Sequence, residues 1–442
     1  MMNQVKRTLI CDGAVMQGAG DSIHFPTMDI LVEDGKIMEI GTNLKEMLQS
    51  DDEANVEIVS ARGKWVLPGF VNTHNHAGMS LLRCFSDDKR LMEWLSQKML
   101  PAEEKMTPDD IYWGTQLAML EMVQSGTTTF ADMYVEMDRV AAAVEEAGMR
   151  ASLCRGMVFL EDDGGRRLNE ALSLFETWHG KADGRIQVML GPHAPFTCPP
   201  ESLRMIRGLA KEKNIPIHIH LAETEEEWHK IRERYQCTPT RYLEQCGLLD
   251  GHPILLAHAV HLDEEDIALL GNIQGGVAHN PVSNFKLGCG IAPIEQMIAK
   301  GVTVGLGTDG AGSASSLDMF LTMQAASWMQ KVIFRDPTRL SARRVLTMAT
   351  QQGATILDMG SITGSLERGK SADLIVINPD CAHLLPQHDI ANLLAYAAKG
   401  SDVESVMVNG QWLMHQKEML LVDKERILFE ATARAKRIVE GI

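Results

Sequence analysis

The segment PGFVNTHNHAG, residues 68–78, places His74 and His76 two positions apart at the end of an apolar run. Alternate side chains of a β-strand share one face, so both imidazoles point in the same direction, as two ligands of one ion must. This spacing predicts half of a metal site at the end of a buried strand.

Three later segments carry the same kinds of side chain, each after an apolar run. They are HIHLAET (218–224) with His218, His220 and Glu223, LLAHAVHLD (255–263) with His258, and GLGTDGAGS (305–313) with Asp309. Parallel strands of a barrel bring such residues together at their C-terminal ends. The four segments together predict a metal-dependent hydrolase.

A hydrolytic metal site needs a few fixed ligands and an open position for water, whose pKa the ion lowers. We predict that the fixed ligands are His74, His76, His220 and Asp309. Because His218 shares a face with His220, periodicity alone leaves either histidine as the ligand.

Two further side chains are candidates for proton transfer. Glu223 follows its strand closely enough to carry a proton between water and substrate, although it could instead be a solvent-facing glutamate like its neighbours 225–227. His258 could orient or deprotonate the bound water, or it could be a core histidine. We predict catalytic roles for Glu223, His258 and Asp309.

The chain has 442 residues, more than the ~250 of one (β/α)8 barrel. We predict an α/β fold in which residues 63–360 form such a barrel. Residues 1–62 and 361–442 are rich in short strands, with Asp34-Gly35 and Asn409-Gly410 as hairpin turns, and predict one composite β-sandwich. Eight candidate barrel strands alternate with helical patterns: 69–76, 126–133, 150–157, 186–195, 216–223, 253–260, 275–281 and 302–310.

Composition narrows the class of partner. The formal net charge of −17 argues against nucleic acid and acidic membranes, so we predict a small-molecule ligand. The eight cysteines form no C-x-x-C pair, the start does not resemble a signal peptide, and no stretch approaches the ~20 apolar residues of a membrane helix. These features predict a cytoplasmic protein.

Five motifs resemble the amidohydrolase superfamily, in its branch that deaminates purines and related heterocycles. They are PGFVNTHNHAGMSLLR, GPHAPFTCPP, HIHLAETEEE, HNPVSNFKLGCGIAPI and GLGTDGAGSASSLDMF. Within that branch the chain is most similar to the 5-methylthioadenosine/S-adenosylhomocysteine deaminase family. The resemblance covers almost the whole chain, terminal segments included.

The resemblance implies one zinc ion on the four predicted ligands, although three histidines and an aspartate also suit Fe²⁺ or Mn²⁺. A single ion is expected because IQVMLGPHAPFT, residues 186–197, lacks the lysine that bridges two ions in binuclear relatives. The implied reaction is attack by metal-bound hydroxide on C6 of adenine, protonation of N1 by Glu223, and loss of ammonia, with Asp309 as ligand and base.

The resemblance also implies substrate contacts beyond Glu223 and Asp309. Glu103 would hold ribose hydroxyls, with Glu104 as its rival, and Arg155 and His193 would bind substrate. Arg167, beside Arg166, would meet the homocysteine carboxylate through bidentate guanidinium geometry. Trp94 would pack on the thioether or occupy a core position.

The sequence departs from the family pattern after the eighth strand. Ser313, Ala314 and Ser315 stand where Ser-Asn-Asn is usual, and Gln324 stands where an arginine often follows. These changes leave other heterocycles open as substrates, such as guanine, a pterin or a chlorinated triazine. A catalytically inactive scaffold is a further alternative, and a homo-oligomer is expected.

Overall fold

The computed structural model describes residues 7–47, 55–89 and 91–442, and two β-sheets organise them. One sheet contains eight parallel strands in chain order, and the other contains nine strands of mixed direction. The predicted (β/α)8 barrel with a second, β-rich unit is therefore confirmed.

The mixed sheet begins with the N-terminal strands β1 (Arg7–Val15), β2 (Thr27–Glu33), β3 (Lys36–Gly41), β4 (Val56–Ser60) and β5 (Trp65–Pro68). The barrel follows, with β6 (Phe70–Asn75), β7 (Thr127–Tyr134), β8 (Arg150–Met157), β9 (Ile186–Pro192), β10 (Ile217–Leu221), β11 (Ile254–His258), β12 (Gly275–His279) and β13 (Val304–Leu306). The chain then returns to the mixed sheet with β14 (Leu374–Ile377), β15 (Val403–Val408), β16 (Gln411–His415) and β17 (Glu418–Met419). All eight predicted barrel strands are present.

Helices connect the strands and cover the barrel. Those of six residues or more are Pro108–Gln124, Met137–Ala147, Arg166–Trp178, Pro200–Lys213, Glu225–Tyr235, Pro239–Gln245, Glu264–Leu270, Pro281–Lys286, Ile294–Ala299, Met319–Phe334, Ala342–Thr347, Ile390–Tyr396 and Lys424–Val439. The segment Ala77–Leu82 is a six-residue 3-10 helix, and shorter helical segments include Leu44–Met47, Leu91–Trp94, Leu95–Met99, Leu100–Glu103, Pro195–Thr197, Ala311–Ala314, Met348–Gln352, Gly353–Ile356, Ala382–Leu384 and Gly400–Asp402. Among the described residues, none of the helices has both the length and the apolar character needed to span a membrane.

The first long barrel helix, Pro108–Gln124, begins with a reciprocal hydrogen-bonded cap. The Thr107 hydroxyl accepts from the Asp110 backbone N–H at 3.3 Å, and the Asp110 carboxylate accepts from the Thr107 N–H at 2.7 Å. This reciprocal pairing satisfies two of the otherwise unpaired donors at the helix start, and Pro108 follows as the first helical residue.

The barrel closes where the last strand meets the first. Just past β13, the Asp309 backbone N–H donates to the His74 carbonyl oxygen at 3.0 Å. A Cβ at Gly307 would lie 2.3 Å from Asn280 Oδ1 and 3.0 Å from the His74 backbone nitrogen, so only glycine allows this approach. Closure thus brings Asp309 to the end of β6, where His74 lies.

The mixed sheet joins the two ends of the chain because β14 pairs antiparallel with β5. The predicted hairpins at Asp34-Gly35 and Asn409-Gly410 are both present and lie against each other, since a Cβ at Gly35 would come within 2.8 Å of the Asn409 carbonyl oxygen. A separate apolar core forms here from residues such as Ile30, Leu374 and Trp412. The domain boundaries at about residues 62 and 361 stay a prediction.

The C-terminal helix Lys424–Val439 packs outside the barrel. Asp110, at the start of the first long barrel helix, accepts from Arg434 Nη1 at 3.0 Å and from Arg437. Two positive charges beside the carboxylate lower the pKa of Asp110 to about 2, although burial alone would raise it. This helix is not among the elements predicted from the sequence.

A buried ion pair connects the barrel to the mixed sheet. Arg150 Nε, at the start of β8, lies 2.8 Å from Asp373 Oδ2, and the two side chains are 3% and 0% exposed. Burial acts to raise the pKa of Asp373, but the Arg150 guanidinium and hydrogen bonds from Asn409 and Ser371 outweigh it and lower that pKa.

We expect Arg150→Ala to reduce the free energy of unfolding by about 3–5 kcal/mol, because it leaves an uncompensated carboxylate in the interior. The measurement is urea unfolding, with Arg62→Ala as control, since the exposed Arg62–Asp12 pair contributes at most about 1 kcal/mol. The pKa of Asp373 is lower in the folded protein than its ~3.9 in the unfolded chain. The charged Asp373 therefore stabilises the folded protein fully at pH values above ~3.9, and this contribution is lost as the pH falls through the folded-state pKa. Equal stability of both variants would contradict this account.

Candidate active site

Histidines from three barrel strands converge around His74. Its ring centroid lies 4.8 Å from that of His76, 4.8 Å from that of His220 on β10, and 5.3 Å from that of His258 at the end of β11. His74 itself is fully buried. The structure therefore brings together the predicted histidines at the C-terminal ends of the strands.

The Asp309 carboxylate faces the same centre. Its Oδ1 lies 3.5 Å from His74 Nε2 and 3.2 Å from His76 Nε2. The other oxygen, Oδ2, accepts from the hydroxyls of Ser283 at 2.6 Å and Ser313 at 2.8 Å. The two serines therefore fix the carboxylate with one oxygen turned toward the histidines.

Hydrogen bonds orient the imidazoles from behind. His76 Nδ1 lies 2.5 Å from the Met133 carbonyl oxygen and His220 Nδ1 lies 2.7 Å from that of His193. Donation from Nδ1 leaves the Nε2 lone pair free, as in metal-binding histidines. His74 Nε2 is buried and has no hydrogen-bond partner. A metal ion at this centre would bind this nitrogen. Three imidazoles and one carboxylate therefore fit a divalent metal ion.

The geometry favours His220 over His218 as the third ligand. His218 Nε2 lies 2.9 Å from His74 Nδ1, and its Nδ1 lies 3.5 Å from Cys154 Sγ. Both ring nitrogens of His218 are thus engaged behind His74, so this side chain supports a ligand. The alternation of side chains along β10 alone does not distinguish these two positions.

Glu223 lies beside the cluster, two residues past β10. Its Oε1 is 3.8 Å from His258 Nδ1 and 3.7 Å from Cys289 Sγ. Burial, reinforced by the negative charge of Asp309, raises the pKa of Glu223 to about 8. A raised pKa favours the protonated carboxyl group, the form that a proton donor needs.

Glu227 holds the backbone that carries Glu223. Its carboxylate accepts from the backbone N–H of Ala222 at 3.2 Å and from that of Glu223 at 2.9 Å. Ala222 has a φ of 48°, a left-handed conformation that such bonds help to maintain. The sequence alone leaves Glu227 as a solvent-facing residue, although Thr224 three positions earlier is a recognisable helix-start signal.

Two asparagines that are not among the predicted site residues flank His258. The amide nitrogens of Asn280 and Asn284 lie 3.3 Å and 3.0 Å from His258 Nδ1. Burial lowers the pKa of His258 to about 3, so its imidazole is neutral. The asparagines fix the ring of a neutral histidine beside Glu223.

Two predicted substrate contacts lie next to the cluster. The His193 ring centroid is 4.9 Å from that of His220, and its Nδ1 is 3.0 Å from Thr197 Oγ1. Glu103 accepts a hydrogen bond from the Tyr134 hydroxyl at 2.5 Å and is half-buried, whereas Glu104 is exposed. This geometry favours Glu103 over Glu104.

The predicted arginines are engaged outside the histidine cluster. Arg155 Nε donates to Glu170 at 2.7 Å, and Arg167 Nη1 donates to the Val158 carbonyl oxygen at 3.0 Å. Arg166 pairs with Glu170 at 2.9 Å. Roles for Arg155 and Arg167 in substrate binding stay predictions.

Trp94 is buried, with 4% of its surface exposed, in the main apolar core. A Cβ at Gly312 would lie 3.5 Å from its ring, so the indole packs against the segment that follows β13. Trp94 therefore lies in the core, which is one of the two positions that the sequence allows for it. Contact with a thioether stays a prediction.

The chain is similar in sequence to the amidohydrolase family and to known proteins named as deaminases. The model of the amidohydrolase family matches residues 65–413. The 5-methylthioadenosine/S-adenosylhomocysteine deaminase of Carboxydothermus hydrogenoformans is 46% identical over 93% of this chain and 94% of its own. The enzyme of the same name from Pelotomaculum thermopropionicum is 49% identical over 86% of this chain and 88% of its own.

Solved structures resemble the chain over nearly its full length. A zinc-bound adenosine deaminase from Xanthomonas campestris has a TM-score of 0.90, 29% identity, and coverage of 98% of both chains. The atrazine chlorohydrolase TrzN from Arthrobacter aurescens, complexed with zinc, has a TM-score of 0.89, 26% identity, and coverage of 97% of this chain and 100% of its own. The histidine-rich centre therefore lies in a fold that binds zinc in both neighbours.

Proposed function

Because the chain belongs to the amidohydrolase family, we propose that it hydrolytically deaminates the adenine ring of 5'-methylthioadenosine, S-adenosylhomocysteine or adenosine. The products are the inosine analogue and ammonia. The observation that carries the proposal is the buried His74 Nε2, which has no hydrogen-bond partner and faces other possible ligand atoms, with the Glu223 carboxyl group beside them. Relatives at 46% and 49% identity bear the name of this activity.

The proposed ligands are His74, His76, His220 and Asp309, and the proposed ion is a single Zn²⁺, with Fe²⁺ or Mn²⁺ compatible with the same donors. Zinc in two structural neighbours and the absence of a lysine from β9 support this choice. When bound, such an ion lowers the pKa of a water molecule toward neutrality. The ion also satisfies the buried nitrogen of His74.

The chain's own groups move the protons. Glu223, whose pKa burial raises, donates to ring N1 as water adds to C6. Asp309 accepts the first proton that this water loses, and the departing amino group takes it up and leaves as ammonia. The second proton of the water leaves the C6 hydroxyl as the carbonyl forms and returns to Glu223. The neutral imidazole of His258 orients the attacking water. One water is consumed, one ammonia is released, and both carboxyl groups regain their starting protonation states.

The proposed substrate contacts follow the chemistry of a nucleoside. Glu103 accepts from ribose hydroxyls, His193 and Arg155 hold the purine and ribose, and Arg167 meets the carboxylate of the homocysteine arm. To do so, Arg167 would have to exchange its contacts with the Val158 carbonyl oxygen and Asp163 for that carboxylate. We also propose a cytoplasmic homo-oligomer.

The test is a spectrophotometric screen of the purified, zinc-loaded protein. We expect the three adenosine compounds to release ammonia and lose adenine absorbance, and we expect the chelator-treated protein to be inactive until zinc is restored. Zinc-loaded protein that is inert toward all three would contradict the proposal. Near-zero metal uptake would indicate the scaffold alternative.

A different heterocycle is the second candidate. Ser315, in the segment that departs from the family pattern, has a φ of 66° and accepts from Arg83 through its carbonyl oxygen at 2.7 Å. The loops after β6 and β13 are thus tied together at the point where the sequence differs from its relatives. Guanine and a chlorinated triazine belong in the same screen, with ammonia and chloride as the respective readouts.

A further inference from the structure

A second group of metal-ligating side chains lies outside the barrel strands. Cys381 Sγ is 3.6 Å from His383 Nε2, and His383 Nε2 is 2.8 Å from Asp402 Oδ2. All three atoms lie within 4.8 Å of one another. We call these three residues the Cys381 cluster.

Two short helical turns create this cluster. Cys381 directly precedes the turn Ala382–Leu384, so the one-residue spacing places its sulfur and the His383 imidazole side by side. Asp402 ends the turn Gly400–Asp402, immediately before β15. A backbone bond from the Asn378 N–H to the Asp402 carbonyl oxygen, 3.1 Å long, connects the segment that follows β14 to the second turn.

The distances agree with those between ligands of one tetrahedral ion. With metal–sulfur and metal–nitrogen bonds of ~2.3 Å and ~2.0 Å, a sulfur and a nitrogen ligand are separated by about 3.5 Å. The observed 3.6 Å between Cys381 and His383 fits without rearrangement. The hydrogen-bonded pair of His383 and Asp402 needs to open by only about half an ångström.

Burial and orientation also suit a metal site. The Asp402 side chain is 7% exposed, and the backbone N–H of Lys399 donates to its Oδ2 at 2.9 Å, which fixes the carboxylate as partners of metal ligands do. The His383 side chain is 34% exposed and Cys381 is half-buried, so an ion can enter from solvent. One position remains for water.

We propose that Cys381, His383 and Asp402 bind a second divalent ion of the Zn²⁺ or Co²⁺ type, independent of the catalytic centre. A thiolate, an imidazole and a carboxylate form a mixed donor set that suits these ions. Binding displaces the thiol proton of Cys381 to solvent, and His383 binds through Nε2 as a neutral ring that carries its proton on Nδ1. The site stabilises the junction of the two turns.

The test uses Co²⁺, because the proposed catalytic ligands contain no sulfur. Metal-free protein titrated with Co²⁺ should take up two equivalents per chain, and one of them should produce a thiolate-to-cobalt charge-transfer band in the near ultraviolet. Cys381→Ser should lose that band and that equivalent, yet retain the other equivalent and deaminase activity. His383→Gln should behave in the same way.

Two control variants identify the sulfur. Cys289→Ser should retain the band, although Cys289 lies 3.7 Å from Glu223, and Cys237→Ser should retain it as well. In the unaltered protein, Co²⁺ should also protect Cys381 from alkylation, measured by peptide mass spectrometry. One equivalent without a band, a band that survives Cys381→Ser, or unprotected Cys381 would each overturn the proposal.

Discussion

Asp309→Asn is expected to reduce kcat/KM for 5'-methylthioadenosine by more than the ~10²- to 10⁴-fold that one proton carrier contributes. The substitution keeps the shape of the side chain but removes the charge next to His74 and His76, whose Nε2 atoms lie 3.5 Å and 3.2 Å from Oδ1. It thereby removes a ligand and a base together. The measurements are steady-state kinetics and the metal content of the same sample after dialysis.

Ser283→Ala should reduce activity less than Asp309→Asn does, and it serves as the comparison variant. The Ser283 hydroxyl donates to Asp309 Oδ2 at 2.6 Å, and Ser313 makes the equivalent bond at 2.8 Å, so one of two orienting bonds survives. Loss of such a partner typically costs 10- to 100-fold in metal affinity or activity. An Asp309→Asn enzyme that loses no more than Ser283→Ala would contradict the double role of Asp309.

The barrel could be predicted from sequence because its signals are local and repeated. Strands such as β11 and β13 are short apolar runs, and polar residues come at or just after their ends, as at His258 and Asp309. Strand alternation by itself is enough to place His74 and His76 on one face. Because the barrel strands are parallel, their C-terminal ends meet at one end of the barrel, and this is enough to predict that the candidate ligands come together.

The supporting contacts could not be predicted because they depend on closure in three dimensions. Ser283 and Asn284 reach Asp309 and His258 from a helix that follows another strand, and the motif HNPVSNFKLGCGIAPI that contains them does not indicate these contacts. His218 and His220 are equivalent in periodicity, and only the contact with His74 Nδ1 distinguishes them. A signal existed for Glu227, since Thr224 begins its helix.

The C-terminal helix Lys424–Val439 was not predicted, although its sequence contains signals for a helix. Ile427, Ala431 and Ile438 are its buried residues, and Asp423 caps its start through a bond from the Arg426 N–H at 2.9 Å. These are ordinary helix signals that the expectation of a purely β-rich terminal segment obscured. The helix contributes none of the proposed ligands, and its partner Asp110 is a buried residue in the first turn of the helix Pro108–Gln124.

Glu223→Gln is expected to retain the metal and lose ~10²- to 10⁴-fold in kcat. Glutamine keeps the size of the side chain and its place beside His258, 3.8 Å away, but it cannot donate an acidic proton to ring N1. Because Glu223 is not among the proposed ligands, the Glu223→Gln variant should bind as many metal ions per chain as the unaltered enzyme. KM should change little, since the loss falls on a step after binding.

The neighbouring glutamates supply the control that makes this result specific. Glu225→Gln makes the same substitution two residues away, but the Glu225 side chain is 77% exposed and lies 3.6 Å from His229, so the activity of this variant should be unchanged. Glu227→Gln should show an intermediate loss, because Glu227 acts on the reaction by holding the Glu223 backbone at 2.9 Å. Near-normal turnover in Glu223→Gln, or equal losses in all three variants, would assign proton transfer to another group. A loss confined to Glu223 and Glu227 identifies the donor and its support.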